Sequence, residues 1–170
     1  MMTHDRTHSE FSDNDTDHDL YLLFSDARYL TFRARERELQ RYELTPEQAR
    51  LLCAVQATNG TATPAKLSRI MLRQPHTVSA LVERMEQKGL VKKVKDLDRK
   101  NMVRVSLTEH GKKAYEITTK RGPIRRIMNS LDKKERVFFQ QCLEKIIHKA
   151  SSELGMDREK LPLSEEFPAV

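Results

Sequence analysis

The sequence predicts a mainly α-helical protein with six helices and one small two-stranded β hairpin. Three observations predict it. Apolar residues recur at three- and four-residue steps over most of the chain. One short stretch breaks that period: Val103, Val105 and Leu107 alternate with Arg104 and Ser106, as in a strand with one buried face. Only five glycines serve 170 residues, too few for an all-β architecture and without the Gly-rich loop that cradles a nucleotide.

Residues 1–17 are rich in Asp, Ser, Thr and His with a single aromatic, and are expected to be a disordered acidic tail. From Leu20 the stripe Leu20, Leu23, Phe24, Ala27, Leu30 and Ala34 predicts a long amphipathic helix whose far half, Arg33 to Arg41, is densely charged. Thr45-Pro46-Glu47-Gln48 opens the second helix with a cap, a first-turn proline and a capping-box Gln; Asn59-Gly60 ends it. Thr63-Pro64 starts a short third helix through Leu67, Ile70 and Met71. Gln74-Pro75 starts a fourth, with Val78, Leu81, Val82 and Met85 inward and Lys88-Gly89 at its end.

Leu90 to Lys95 is the expected partner of the alternating strand, with a basic turn to Asn101 between them. Thr108 begins the fifth helix, which Gly122-Pro123 should kink or interrupt. Asp132-Lys133-Lys134-Glu135 is a capping box. Behind it Phe139, Cys142, Leu143, Ile146 and Ala150 form the stripe of the last helix, and a short extension follows from Gly155.

Charge narrows the function. Thirty-one basic residues face twenty-five acidic ones, net +6. Residues 1–19 hold six acids and one base, and the last sixteen residues hold four acids and two bases, so the interior carries +13. A body that basic favours a polyanionic partner. No apolar run approaches the ~20 residues of a transmembrane helix, and the start lacks a basic-then-apolar signal layout; no membrane partner and a cytoplasmic location are expected. Two distant cysteines do not suggest a disulfide scaffold.

The order short helix, turn, amphipathic helix, strand, basic turn, strand from Thr63 to Thr108 is a helix-turn-helix followed by a wing, an arrangement that reads duplex DNA. Lys66 to Arg104 contains eleven bases and four acids. With Val78, Leu81, Val82 and Met85 buried, helical steps put His76, Ala80, Glu83 and Gln87 opposite, Thr77 and Arg84 on one flank and Ser79 on the other. The candidate DNA contacts on this helix are therefore Arg73, Gln74, His76, Thr77, Ser79 and Arg84, and in the wing Asp98, Arg99 and Lys100. Glu83 fits poorly: it would have to accept from a cytosine amine or lie outside the groove.

At these residues the chain resembles the MarR (multiple antibiotic resistance regulator) family of bacterial winged-helix repressors. The resemblance runs through LSRIMLRQPHTVSALVERMEQKGLV (Leu67 to Val91), DLDRKN (Asp96 to Asn101) and VSLTEHG (Val105 to Gly111), and the flanking helices extend it from about Leu20 to Leu154. Asp98-Arg99-Lys100 lies about one residue further from the Leu-Thr pair than is usual, so Arg99 or Lys100 occupies the tip. The resemblance implies an obligate homodimer with interlocked first and last helices, a two-fold-symmetric DNA site, and a cleft for small aromatic acids or phenols, for which Tyr29, Arg33 and Tyr115 are the candidate lining. Independently, the helices from Leu20 and Lys133 carry more apolar surface than a small lobe can cover, which calls for a partner.

The expected organisation is the acidic tail (1–17), N-terminal dimerisation and support helices (18–60), a winged helix-turn-helix lobe (61–108), C-terminal dimerisation helices (109–154) and an extension (155–170). The expected function is a transcriptional regulator, a repressor, that binds a pseudo-palindromic double-stranded operator as a homodimer and is released by a small aromatic or phenolic effector. The alternative is a winged-helix interaction module whose basic surface meets an acidic protein. Cys53 and Cys142 lie on or beside apolar stripes and read as packing residues. The six histidines are scattered, so no metal or other cofactor is expected, and no nucleophile elbow suggests an enzyme.

Overall fold

The computed structural model describes residues 16–95 and 103–156. Its elements are α1 (Thr16–Gln40), α2 (Pro46–Ala57), α3 (Pro64–Met71), α4 (Pro75–Gln87), β1 (Val91–Lys95), β2 (Val103–Leu107), α5 (Glu109–Thr119), α6 (Gly122–Met128) and α7 (Lys133–Glu153). The interruption expected at Gly122-Pro123 is complete, so the fifth helical stretch is two helices. Arg121 adopts a left-handed φ of 46°, and Pro123 brings no N–H to continue the ladder of α5. At the other end α1 begins at Thr16, two residues inside the expected tail. Asp17 and Asp19 in its first turn complement the helix dipole.

Local sequence signals account for the helix starts. Thr45 accepts from the Gln48 amide while Gln48 returns a bond to the Thr45 amide, and Asp132 and Glu135 make the same reciprocal pair before α7. Thr63 and Thr108 cap α3 and α5. Gly155, at φ 61°, closes α7, with the Met156 amide bonded back to the Ser151 carbonyl.

One core joins α2, α3, α4, the hairpin and α5. Leu51, Leu52, Leu67, Met71, Val78, Val82, Met85, Val91 and Val105 are essentially inaccessible, each contributing about 1.5–3 kcal/mol of burial. The strands pair antiparallel with Val91 opposite Leu107 and Lys95 opposite Val103. The Val105 amide also donates to the Ala62 carbonyl, which fastens the segment before α3 to the hairpin.

The outer helices differ sharply. Leu39 is the single buried residue of α1, and the α7 stripe buries none of its apolar side chains. Leu20, Leu23 and Leu30 on α1 are 58%, 52% and 65% exposed, and Phe138 and Ile146 on α7 are 69% and 49% exposed. Apolar faces of that extent on two long helices are the unpartnered surface foreseen from the sequence.

Candidate nucleic-acid interface

Helices α3 and α4 are joined by a turn that leaves little freedom. Leu72 is left-handed, at φ 52°, and the Arg73 amide donates to the Ser68 carbonyl. The buried Ser68 hydroxyl donates to the Arg73 carbonyl at 2.6 Å, so one serine grips Arg73 on both sides. From α2, Arg50 donates to the Ile70 carbonyl at 3.2 Å, satisfying an acceptor of the last turn of α3. Burial lowers the Arg50 pKa, the nearby Arg73 charge lowers it further, and Glu47 opposes both. Two guanidinium groups thus sit close together at the entry to α4.

Helix α4 buries Val78, Leu81, Val82 and Met85, the four positions expected, and turns its other side outward. Arg73, Gln74, His76, Thr77 and Arg84 are exposed, and Ser79 is half-buried at the edge of that face. Gln74 is the N-cap residue but forms no side-chain cap, so the first-turn amides of α4 meet no side-chain acceptor there. The result is a solvent-facing helix start with a positive dipole end, flanked by arginines.

Glu83, the poor fit among the outward positions, has a partner within the protein. It approaches Lys93 of β1, Oε1 to Nζ 4.0 Å, which turns it toward the hairpin. Glu86 engages the same lysine twice: it accepts from the Lys93 amide at 3.1 Å and pairs with Lys93 Nζ at 3.1 Å. These bonds hold the Glu86 pKa below the usual carboxylate value. The sequence reading missed Lys93, Glu86, Arg50 and the double grip of Ser68. Asp98, Arg99 and Lys100 lie outside the described residues.

At the base of the hairpin Thr108 donates its amide to the Leu90 carbonyl and its hydroxyl to the Gly89 carbonyl at 2.5 Å, and accepts from the Gly111 amide. There α5 comes so close that a Cβ on Gly111 would stand 1.8 Å from the Leu90 oxygen. The Leu-Thr-x-x-Gly pattern thus has a steric reason.

The three cleft residues are placed separately. Tyr29 is 56% exposed on α1, Arg33 pairs with Glu36 on the same helix, and Tyr115 is half-buried against the core. Cys53 Sγ lies 3.6 Å from Thr118 Oγ1 at the contact of α2 with α5. Among the described residues no group of three or more His, Cys, Asp or Glu side chains forms a metal-binding cluster, and no helix is long and apolar enough to cross a membrane.

No curated protein matches the sequence. Among solved structures, the organohalide-sensing RdhR-CbdbA1625 transcriptional regulator with 2,4-dichlorophenol bound is 30% identical over 88% of this chain and 89% of its own, with a TM-score of 0.73. Its ligand-free form is 27% identical over the whole of both chains, TM-score 0.79. A mutant MarR from E. coli complexed with operator DNA is 20% identical, covers 79% of this chain and 99% of its own, and matches the fold at a TM-score of 0.71. The MarR family model matches residues 42–100, a span that takes in α2, α3, α4 and β1. With the helix-turn-helix, the hairpin and these likenesses in agreement, the chain belongs to the MarR family of transcriptional regulators.

Proposed function

We propose that the protein is a repressor that binds a pseudo-palindromic operator as a homodimer, with α4 in the major groove and the wing on the adjacent backbone or minor groove. The observation that carries this is the exposed, side-chain-uncapped start of α4 with Arg73, Gln74, His76 and Thr77 around it, set in a lobe with eleven bases and four acids. Arg73 and Arg84 serve phosphates or guanine; His76, Thr77 and Ser79 reach base edges. Arg99 and Lys100, beside Asp96 and Asp98, supply the wing contacts.

The dimer forms through the apolar faces of α1 and α7, and two copies of α4 then address half-sites about one helical turn, roughly 34–36 Å, apart. A small aromatic or phenolic ligand in the cleft of Tyr29, Arg33 and Tyr115 changes that spacing and releases DNA; the relative that holds 2,4-dichlorophenol supports this ligand class.

Titrations of operator and random duplex at several salt concentrations test the assignment. Arg99→Ala is expected to weaken both duplexes alike and to flatten the plot of log affinity against log salt by about one unit per phosphate contact. Thr77→Phe is expected to lower operator preference by about 1–3 kcal/mol per base contact with the salt slope nearly unchanged. Loss of operator preference in Arg99→Ala at an unchanged slope would mean that the wing and the helix have exchanged roles.

A further inference from the structure

Between the C-terminal half of α1 and the start of α6 lies a cavity of about 390 Å³. Three arginines, Arg37, Arg41 and Arg126, line it, together with Glu38, Gly122, Pro123 and Ala34. Glu38 is already engaged, since it pairs with Arg35 and accepts from the Gly122 amide at 3.0 Å. Among the described residues no carboxylate pairs with Arg37, Arg41 or Arg126, and Arg37 and Arg41 stand one helical turn apart, where like charges repel. Ala34 and Pro123 offer little to an aromatic ring. A second copy apposing this patch would add three more cations, so contact between copies favours the apolar halves of α1 and α7.

We propose that this cavity is an effector site for a compact polyanion, a phosphate ester or a polycarboxylate, apart from the Tyr29 and Arg33 positions nearer the N-terminus of α1. Three arginines around one small space match at least two negative charges, which a phenolate lacks. The site also adjoins a joint. Helix α5 packs on α2 within the helix-turn-helix lobe, whereas α6 packs on α1, and the break between them contains the left-handed Arg121. Arg35 and Glu38 pin both sides of that break, Arg35 through the Thr118 carbonyl and Glu38 through the Gly122 amide. An anion brought in by the arginines repels Glu38 from the Gly122 amide and frees the angle between lobe and outer helices. This coupling, though not the binding itself, rests on the DNA-binding reading above.

Isothermal titration calorimetry on the full chain at fixed ionic strength, with pyrophosphate, citrate and benzoate as probes, tests the site. Saturable binding of pyrophosphate or citrate is expected, with affinity reduced at least tenfold in Arg126→Ala and in Arg37→Ala, whereas any benzoate binding, which belongs to the aromatic cleft, is unchanged in both variants. Pyrophosphate alone assigns phosphate esters, and citrate alone assigns polycarboxylates. Circular dichroism of the variants verifies folding, which the exposure of both side chains leads one to expect. No saturable binding of either polyanion, benzoate binding that falls in step with it in both variants, or polyanion binding untouched by both substitutions overturns the site. The bound probe is also expected to weaken operator binding in the wild type and not in Arg126→Ala; unchanged operator affinity overturns the coupling. Ligand-free DNA binding is measured separately, so its failure would refute the DNA reading while the calorimetric site stood.

Discussion

Replacing Gly111 by alanine sets helix propensity against packing, and the two forces predict opposite signs. Gly111 lies in the first turn of α5, where alanine would ordinarily stabilise a helix by about 1 kcal/mol over glycine. Here the added Cβ meets the Leu90 oxygen at 1.8 Å and its carbon at 2.9 Å, both backbone atoms that no rotamer change can move aside. Helix and strand entry must separate by more than an ångström. Such overpacking costs about 1–3 kcal/mol. The displaced carbonyl also accepts from the Thr108 amide at 3.2 Å, a bond worth about 0.5–1.5 kcal/mol. Net of propensity, Gly111→Ala is expected to destabilise by about 0.5–3.5 kcal/mol. Urea denaturation reads this as a lower midpoint at an unchanged slope. A neutral or stabilised variant would refute the claim that close approach, rather than turn geometry, requires glycine at this position.

Two further outcomes follow from the same contacts. The Glu86 carboxylate is held ionised by Lys93, so its bond to the Lys93 amide persists above the usual glutamate range and is lost as pH falls through the depressed pKa. The Lys93 amide chemical shift should therefore titrate with a midpoint below that of a free glutamate, and a shift flat from pH 6 to 2, or one that persists in Glu86→Gln, would break the assignment. On α7, Ile146→Asp removes an apolar side chain that a two-fold interface buries twice, at about 1.5–3 kcal/mol each. Sedimentation should show the dimer dissociation constant raised by a factor on the order of 10²–10⁴, with operator affinity falling in step; an unaltered dimer would exclude this face of α7 from the interface.

What the sequence made legible is mostly what acts within four residues. Thr45 with Gln48 and Asp132 with Glu135 are read directly because a capping box is a local contact. The buried set Val78, Leu81, Val82 and Met85 follows from helical period alone, and so does the exposure of His76 and Thr77. The contacts that shape the site are of another kind. Arg50 reaches the Ile70 carbonyl across twenty residues, and Glu38 reaches the Gly122 amide across eighty-four. Both depend on how one helix lies on another, which no periodicity encodes. The poor fit of Glu83 to a groove is legible from its own helix, but its partner, Lys93, comes from strand β1. Ser68 lies in a stretch that resembles the family, yet its grip on Arg73 appears only once the turn is folded.

The distribution of burial says where a signal would pass. The core of the helix-turn-helix lobe takes in Leu39 near the end of α1, whereas the rest of α1 and the stripe of α7 keep apolar faces open for a partner. Beyond that anchor, polar contacts tie the lobe to the outer helices. Glu38 and Arg35 hold the α5–α6 break, and Lys88, just beyond the end of α4, donates to the Glu43 carbonyl at 3.2 Å in the left-handed turn between α1 and α2. The second tie is an exposed lysine hydrogen bond, of the class worth roughly 1 kcal/mol or less in water. The far end of α4 is thus joined to the turn after α1 by a contact that thermal energy nearly matches. That tie opposes a re-angling of α1 only weakly, so the buried Leu39 is the natural pivot, while the packing under Val78 and Met85 keeps α4 rigid. On the proposed reading, a pivot beside a rigid α4 would let modest ligand binding energy shift half-site spacing without unfolding that helix.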